Sequence, residues 1–84
     1  MNAVEQLTMK RALEVLDPLE GGLCARPLMD QVERTVGQTL TDLERERALA
    51  HMRDKGWVRT GRHAFTGEVI YVVTDAGRMA MIGL

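Results

Sequence analysis

The chain contains few of the residue types that build covalent, metal or cofactor sites. Its 84 residues include one cysteine, Cys24, which excludes an internal disulfide and a cysteine-based zinc site. Aromatic residues make up only 4% of the chain, so the six methionines are expected to fill gaps in the core rather than to line a cofactor site. We therefore expect a protein that holds no metal and no cofactor.

Long apolar runs and an excess of charge of one sign are also missing. No stretch of about 18 apolar residues exists, so the sequence predicts no membrane span. Glu5, Lys10 and Glu14 interrupt the N-terminal region, which does not read as a signal peptide and favours a cytoplasmic location. The net charge is −1, whereas a nucleic-acid-binding domain usually carries a basic excess. Any contact with DNA must therefore come from local clusters of positive charge.

The length predicts one domain, residues 1–84, without room for a deep pocket beside the core. A first helix over residues 3–16 has an apolar face of Met9, Ala12, Leu13 and Leu16. A second apolar stripe on this helix consists of Val4, Leu7 and Val15. Residues 23–25 are expected to form a short strand, and Pro27 suits the first turn of a second helix that ends at Gly37.

The third helix carries the clearest local signal. Thr41 and Glu44 have the spacing of a capping box, so the helix is expected to cover residues 42–55 and to stop at Gly56. Leu40, in the tight connection before it, is expected to be held between the second and third helices. A helix stop, a short turn and a capped helix together favour a helix-turn-helix.

A hairpin is predicted after Trp57. A basic segment, residues 59–68, precedes an apolar, β-branched strand at 69–73 that should be largely covered. Thr60-Gly61 and Thr66-Gly67 are both plausible turn sites, and the sequence does not choose between them. Thr74 is expected to cap a closing helix over residues 75–82.

Taken in order, these signals resemble a winged helix-turn-helix domain, and the likeness covers nearly the whole chain. The residues that carry it are Leu49, Met52, Gly56, Trp57, Val58, Tyr71, Thr74 and Gly77. The resemblance implies an α+β fold of three helices with a small antiparallel hairpin or three-stranded sheet and a short C-terminal helix. It points to small stand-alone bacterial or phage proteins, many of them transcriptional regulators, without singling out one regulator family.

The resemblance also implies where DNA would bind. Ala48, Leu49 and Met52 should face the core, which leaves Leu43, Arg47 and Ala50 on the face that enters the major groove in DNA-reading members. Hairpin arginines would lie along the backbone or the minor groove. The residues expected to contact DNA are Arg47, Ala50, His51, Arg53, Lys55, Arg59, Arg62 and His63. The carboxylates of the third helix oppose that role, and an ordinary solvated helix and a polar hairpin tip are the alternatives.

One position departs from the family pattern. The core usually receives an apolar side chain one turn before Leu49, but that position is Arg45. Either the aliphatic stem of Arg45 lies along the edge of the core with its guanidinium in water, or Leu43 turns inward and the helix is rotated.

The sequence shows no catalytic constellation, so we expect no enzyme. His51 and His63 lack the spacing of a metal site and are expected to be solvent-exposed. Cys24 is expected to be a small buried apolar residue, since no base is suggested near it.

Two functions stay open at the level of sequence. The first is a cytoplasmic DNA-binding module that binds double-stranded DNA, and the second is a protein-interaction module, such as a phage or complex accessory factor. A homodimer is a further expectation, formed through the stripe of Val4, Leu7 and Val15 together with Met79, Met81 and Ile82. In a monomer these residues would instead close the core.

Overall fold

The computed structural model describes residues 3–84 as an α+β fold of four helices and a three-stranded antiparallel sheet. In chain order the elements are α1 Ala3–Leu16, β1 Leu23–Cys24, α2 Ala25–Val36, α3 Asp42–Asp54, β2 Val58–Arg62, β3 Val69–Val73 and α4 Asp75–Gly83. The helices, the hairpin and the short third strand all lie where the sequence predicts them, within one residue at most ends. The expectation of one domain over residues 1–84 stays a prediction, and it includes residues 1 and 2, which lie outside the described residues.

The sheet has the order β1-β3-β2, so the most apolar strand lies in the middle. β3 pairs with β1 through Leu23 opposite Tyr71, and with β2 through Val58 opposite Val73. Val73 at the C-terminal end of β3 is buried, the three residues before it are half-buried, and Val69 at the N-terminal end is exposed. The expectation that β3 is largely covered is therefore wrong at its Val69 end, because β1 pairs with β3 only as far as Ile70 and Val69 lies beside the hairpin turn.

The register also decides between the two turn sites. Gly61 pairs with Ile70 and Arg62 pairs with Val69, so Thr60-Gly61 lies inside β2. The turn occupies residues 63–68, and Gly67 in it has a φ of 72°. The hairpin is therefore longer than the Thr60-Gly61 alternative requires, and its tip stands clear of the core.

One apolar cluster joins the helices to the sheet. Its buried members are Met9, Ala12, Leu13, Leu16, Leu28, Met29, Val32, Leu40, Ala48, Leu49, Met52, Val58 and Val73. The predicted face of α1 is confirmed in full, and Leu40 is buried as expected. Val4 and Val15 of the second stripe pack partly against this cluster, whereas Leu7 is exposed.

The connection between α2 and α3 has the caps that the sequence predicts. Gly37 ends α2 with a φ of 82°, a left-handed conformation that glycine adopts without steric cost, and its N–H donates to the Glu33 carbonyl. At the start of α3, the Thr41 N–H donates to Glu44 Oε1 at 2.9 Å and the Glu44 N–H donates to Thr41 Oγ1 at 3.1 Å. These reciprocal bonds form the capping box.

A second set of backbone contacts ties α4 to the junction of α3 and β2. Thr74 Oγ1 donates to the Gly56 carbonyl at 2.6 Å and accepts from the Gly77 N–H at 3.0 Å. The Thr74 N–H donates to the Trp57 carbonyl at 3.0 Å. A Cβ atom at Gly77 would lie 2.1 Å from that carbonyl oxygen, so only glycine fits here.

We expect Gly77→Ala to lower the free energy of unfolding by about 2–3 kcal/mol, because backbone must move to admit the methyl group. This loss exceeds the gain of about 1 kcal/mol that alanine brings to a helix interior. Gly83→Ala is the matched control in the same helix, since nothing lies within 4 Å of its added Cβ. Urea unfolding of the three proteins measures both changes, and equal stability of Gly77→Ala and wild type would contradict the close contact.

The capping box predicts a pH dependence. Hydrogen bonds from the backbone and the side chain of Thr41 hold the pKa of Glu44 below its usual range. Because the folded-state pKa is the lower one, this contribution to stability is present above the unfolded-state pKa and is lost as the pH falls through the folded-state pKa. We expect the stability of wild type to fall more steeply between about pH 5 and pH 2 than that of Glu44→Gln, whose amide does not titrate. Urea unfolding at each pH measures this, and the same pH dependence of the unfolding free energy in both proteins would contradict the prediction.

Candidate nucleic-acid interface

Helix α3 packs with the face that the sequence predicts. Ala48, Leu49 and Met52 are buried in the core. On the outside, Leu43 is 56% exposed. Because Leu43 does not turn inward, the helix is not rotated, and the outer face is the one expected from helical spacing.

Arg45 takes the place of the missing apolar residue by pairing with the neighbouring helix. Its Nε donates to Glu33 Oε1 of α2 at 2.7 Å, and its Nη2 donates to the same oxygen. Asp42 Oδ1 lies 3.6 Å from Nη1. The first alternative for Arg45 is therefore correct about the edge of the core, but the guanidinium is held by Glu33 rather than left in water. A charged residue at a core-facing position indicates that an oppositely charged residue lies on the neighbouring helix. The sequence does not identify Glu33 as that residue, because the two are 12 residues apart.

Ala50 lies on the crest of α3 and divides the expected DNA-contacting residues. Arg47 and His51 line a shallow groove towards α1 together with Met9. Arg53 lines a different groove, towards the sheet, together with Tyr71. Ala50 lines both grooves, and its small side chain does not project far from the helix between them. A partner lying along the crest would therefore contact Arg47 on one side and Arg53 on the other.

The sequence predicts a solvent-exposed His51, and this prediction is wrong. Its ring is half-buried, with its centroid 5.5 Å from that of Trp57 and the two planes at 59°. The Nε2 atom is buried and has no hydrogen-bond partner among the described residues. The physical reason is that Trp57, placed just after the helix, covers the last turn of α3. His51 therefore serves packing more than it serves the outer face.

The basic residues of the hairpin lie on both of its faces. Arg59, Arg62 and His63 are all exposed, as is Phe65 at the tip. Side chains alternate along a strand, and Val58 points into the core. Arg62 therefore shares the face of Val58, whereas Arg59 lies on the opposite face. The basic segment predicted at residues 59–68 therefore places one arginine on each face of the hairpin.

Several cations of this surface have no carboxylate partner. Among residues 3–84, the ion pairs involve Arg11, Arg45, Arg53 and Arg78. Arg53 is only loosely paired, with 3.9 Å between its Nε and Asp54 Oδ1. The cations of α3 and the hairpin that lack an ion pair within the described range are Arg47, Lys55, Arg59 and Arg62. These four side chains are not neutralised by a carboxylate of the described residues, and Arg62 alone among them donates a hydrogen bond to backbone, at the Gly67 carbonyl.

The single carboxylate of the hairpin, Glu68, faces away from the tip. Burial first, and the neighbouring Glu68 carboxylate second, raise the pKa of the Cys24 thiol. Cys24 is half-buried rather than buried as predicted, since it lies at the sheet edge where β1 passes into α2. A raised pKa keeps the thiol protonated, which does not suit a nucleophile.

The described residues bring together no other site. No group of three or more histidine, cysteine or carboxylate side chains within residues 3–84 is placed to hold a metal ion. In the same range, no helix has the length and apolar character needed to cross a membrane.

Comparison with known proteins shows the fold. The crystal structure of a proposed transcriptional regulator from Thermoplasma acidophilum matches with a TM-score of 0.79 and 22% sequence identity. The match covers 95% of this chain and 76% of that chain. No family model matches the sequence, and neither does any curated protein. The chain therefore has the fold of a protein proposed to regulate transcription.

Proposed function

We propose that this chain is a winged-helix DNA-binding protein that regulates transcription. In this proposal α3 is the recognition helix, the β2–β3 hairpin is the wing, and both contact double-stranded DNA. The order of helix, strand, helix, helix and hairpin supports it, as does the fold shared with the regulator from Thermoplasma acidophilum. Helix-turn-helix proteins place the N-terminal part of the second helix against the base edges in the major groove.

The observation that carries the proposal is the set of unpaired cations at the C-terminal end of α3 and on the hairpin. Lys55, Arg59 and Arg62 are exposed and form no ion pair within residues 3–84. Phosphate neutralisation by such side chains supplies most sequence-independent affinity. The net charge of the chain is −1, so the attraction of a polyanion would come from this local group of unpaired cations.

The start of α3 is less favourable to DNA. Asp42 and Glu46 are exposed, and Arg45 is neutralised by Glu33. Arg47 is then the side chain of α3 best placed to read guanine, with Ala50 permitting close approach to the helix crest. We therefore assign most of the affinity to the hairpin and the end of α3, and the sequence preference to Arg47.

The proposal is tested by titrating random duplex DNA at low and at higher salt. We expect affinity to fall steeply with salt, and Arg59→Ala/Arg62→Ala to lower the slope of log K against log salt by about 2. Lys10→Ala/Arg34→Ala removes the same charge from α1 and α2 and should leave the slope nearly unchanged. Arg59→Lys/Arg62→Lys keeps the charge and should keep most of the affinity.

The two outcomes separate the competing functions. No binding of duplex DNA at about 100 µM protein and low salt would contradict the DNA role, because non-specific dissociation constants lie at or below that value. That result would favour the second function, a protein-interaction module. The exposed Leu43, flanked on α3 by Asp42 and Glu46, is the observation that favours that second function.

We also infer that the protein forms a homodimer through α4. Met79 and Ile82 are 72% and 80% exposed, and their i, i+3 spacing places them side by side on the helix. Val4, Val15 and Met81, which the sequence also assigns to the dimer surface, pack partly against the core instead. The proposed interface therefore uses only the exposed residues of the expected set.

Sedimentation equilibrium checks the dimer. We expect a mass near twice the 9.4 kDa of the chain for wild type. Met79→Lys/Ile82→Lys should sediment as a folded monomer, since both side chains lie outside the core. Leu43→Lys, which changes an exposed residue on α3, is the control that should stay dimeric. A wild-type mass near 9.4 kDa at high concentration would show the inference to be wrong.

A further inference from the structure

The tip of the hairpin presents an aromatic ring to solvent. Phe65 is 94% exposed, more than any other large apolar side chain in residues 3–84. A phenylalanine in this position contributes nothing to the core, and leaving its ring in water is unfavourable. Large exposed aromatic residues are typical of contact sites for a partner.

The tip holds this ring on an ordered loop. The His63 N–H donates to the Glu68 carbonyl at 2.8 Å, and the Gly67 N–H donates to the His63 carbonyl at 3.0 Å. Arg62 Nη1 closes the same turn by donating to the Gly67 carbonyl at 2.9 Å. These bonds fix the backbone on both sides of Phe65.

The imidazole of His63 adds the bonds nearest to the ring. Its Nδ1 accepts from the N–H of Phe65 at 3.2 Å and from the N–H of Thr66 at 3.3 Å. The imidazole and phenyl centroids are 5.9 Å apart, with the planes at 51°. His63 therefore acts as a support for the tip, a role that its expected contact with DNA does not include.

The charges around the tip indicate the partner. Arg59 and Arg62 lie on opposite faces of the hairpin, and Glu68 is turned towards Cys24. Arg62 lies beside the tip, where its Nη1 donates to the Gly67 carbonyl, and Arg59 lies three residues further from the tip along β2. An apolar ring at the end of a hairpin that carries a cation on each face complements a base step with phosphates along both sides of the groove. Apolar wedges inserted from the minor groove between adjacent base pairs are an established way of kinking duplex DNA.

We propose that Phe65 inserts between two adjacent base pairs from the minor groove, while Arg59 and Arg62 contact the phosphates on either side. This proposal rests on the DNA-binding function proposed above. His63 is a positioning residue that holds the tip in the inserting conformation. Flexible pyrimidine–purine steps such as TA are the favoured sites, because they unstack at the lowest cost.

The experiment uses a duplex that contains 2-aminopurine in place of adenine at several TA steps, with the full chain added to saturation at low salt. Insertion unstacks the probe, so its fluorescence should rise with wild type. Phe65→Ala should abolish the rise and weaken binding about fivefold or more. Phe65→Leu, which keeps an apolar wedge, should retain part of the rise. Phe65 touches no core residue, and circular dichroism confirms that each variant is folded.

Further variants test the residues around Phe65 separately from Phe65 itself. His63→Ala removes the acceptor and should reduce the rise, whereas His63→Asn offers an oxygen near the position of Nδ1 and should restore it. Arg59→Ala, which leaves the bonds of the tip in place, should bind more weakly but give the full rise once saturated.

The outcomes distinguish the two proposals. If wild type binds the duplex without a change in fluorescence, or if Phe65→Ala gives the same rise as wild type, the wedge is wrong and DNA binding stands. If wild type does not bind the duplex at all, both proposals fail together.

Discussion

The arrangement of the chain depends on the contact between the start of α4 and the carbonyl of Trp57. Thr74 bonds to Gly56 and Gly77, and the backbone of Gly77 lies against the Trp57 carbonyl. These bonds connect the end of the third helix, the start of the hairpin and the closing helix at one point. Since the hairpin leaves the core at Val58, its direction relative to α3 is set at this junction.

The pair of Arg45 and Glu33 has a comparable effect on the outer face of α3. By joining α2 to α3 at the edge of the core, it supplies the contact that an apolar residue would otherwise make. Leu43 then stays outside, and Arg47, Ala50 and Arg53 lie along the crest and its two grooves. The exposed face of α3 is set by the burial of Ala48, Leu49 and Met52, and the ion pair joins the two helices at the edge of that core.

Local signals in the sequence predict most of the elements, because caps and stops act over a few residues. Thr41 with Glu44, Gly37 and Thr74 each determine a helix end through bonds to near neighbours. The candidate surface is harder to predict because it depends on contacts between distant segments. The packing of His51 on Trp57, the partner of Arg45 and the placement of Arg59 and Arg62 on two faces all require the tertiary arrangement or the strand register. Phe65 shows the same limit, since its isolation at the tip follows only once the turn is placed at residues 63–68.

The position of β2 has a consequence for the solution behaviour of the protein. β2 is an outer strand of the sheet, so one row of its amide and carbonyl groups is open to strand addition by another molecule. Bulky charged side chains at such an edge oppose this kind of self-association, and β2 carries Arg59 and Arg62. Arg59 and Arg62 are side chains of the type that protects such edges in other proteins. Replacing both residues with small uncharged ones would leave this edge more open to pairing with a second molecule.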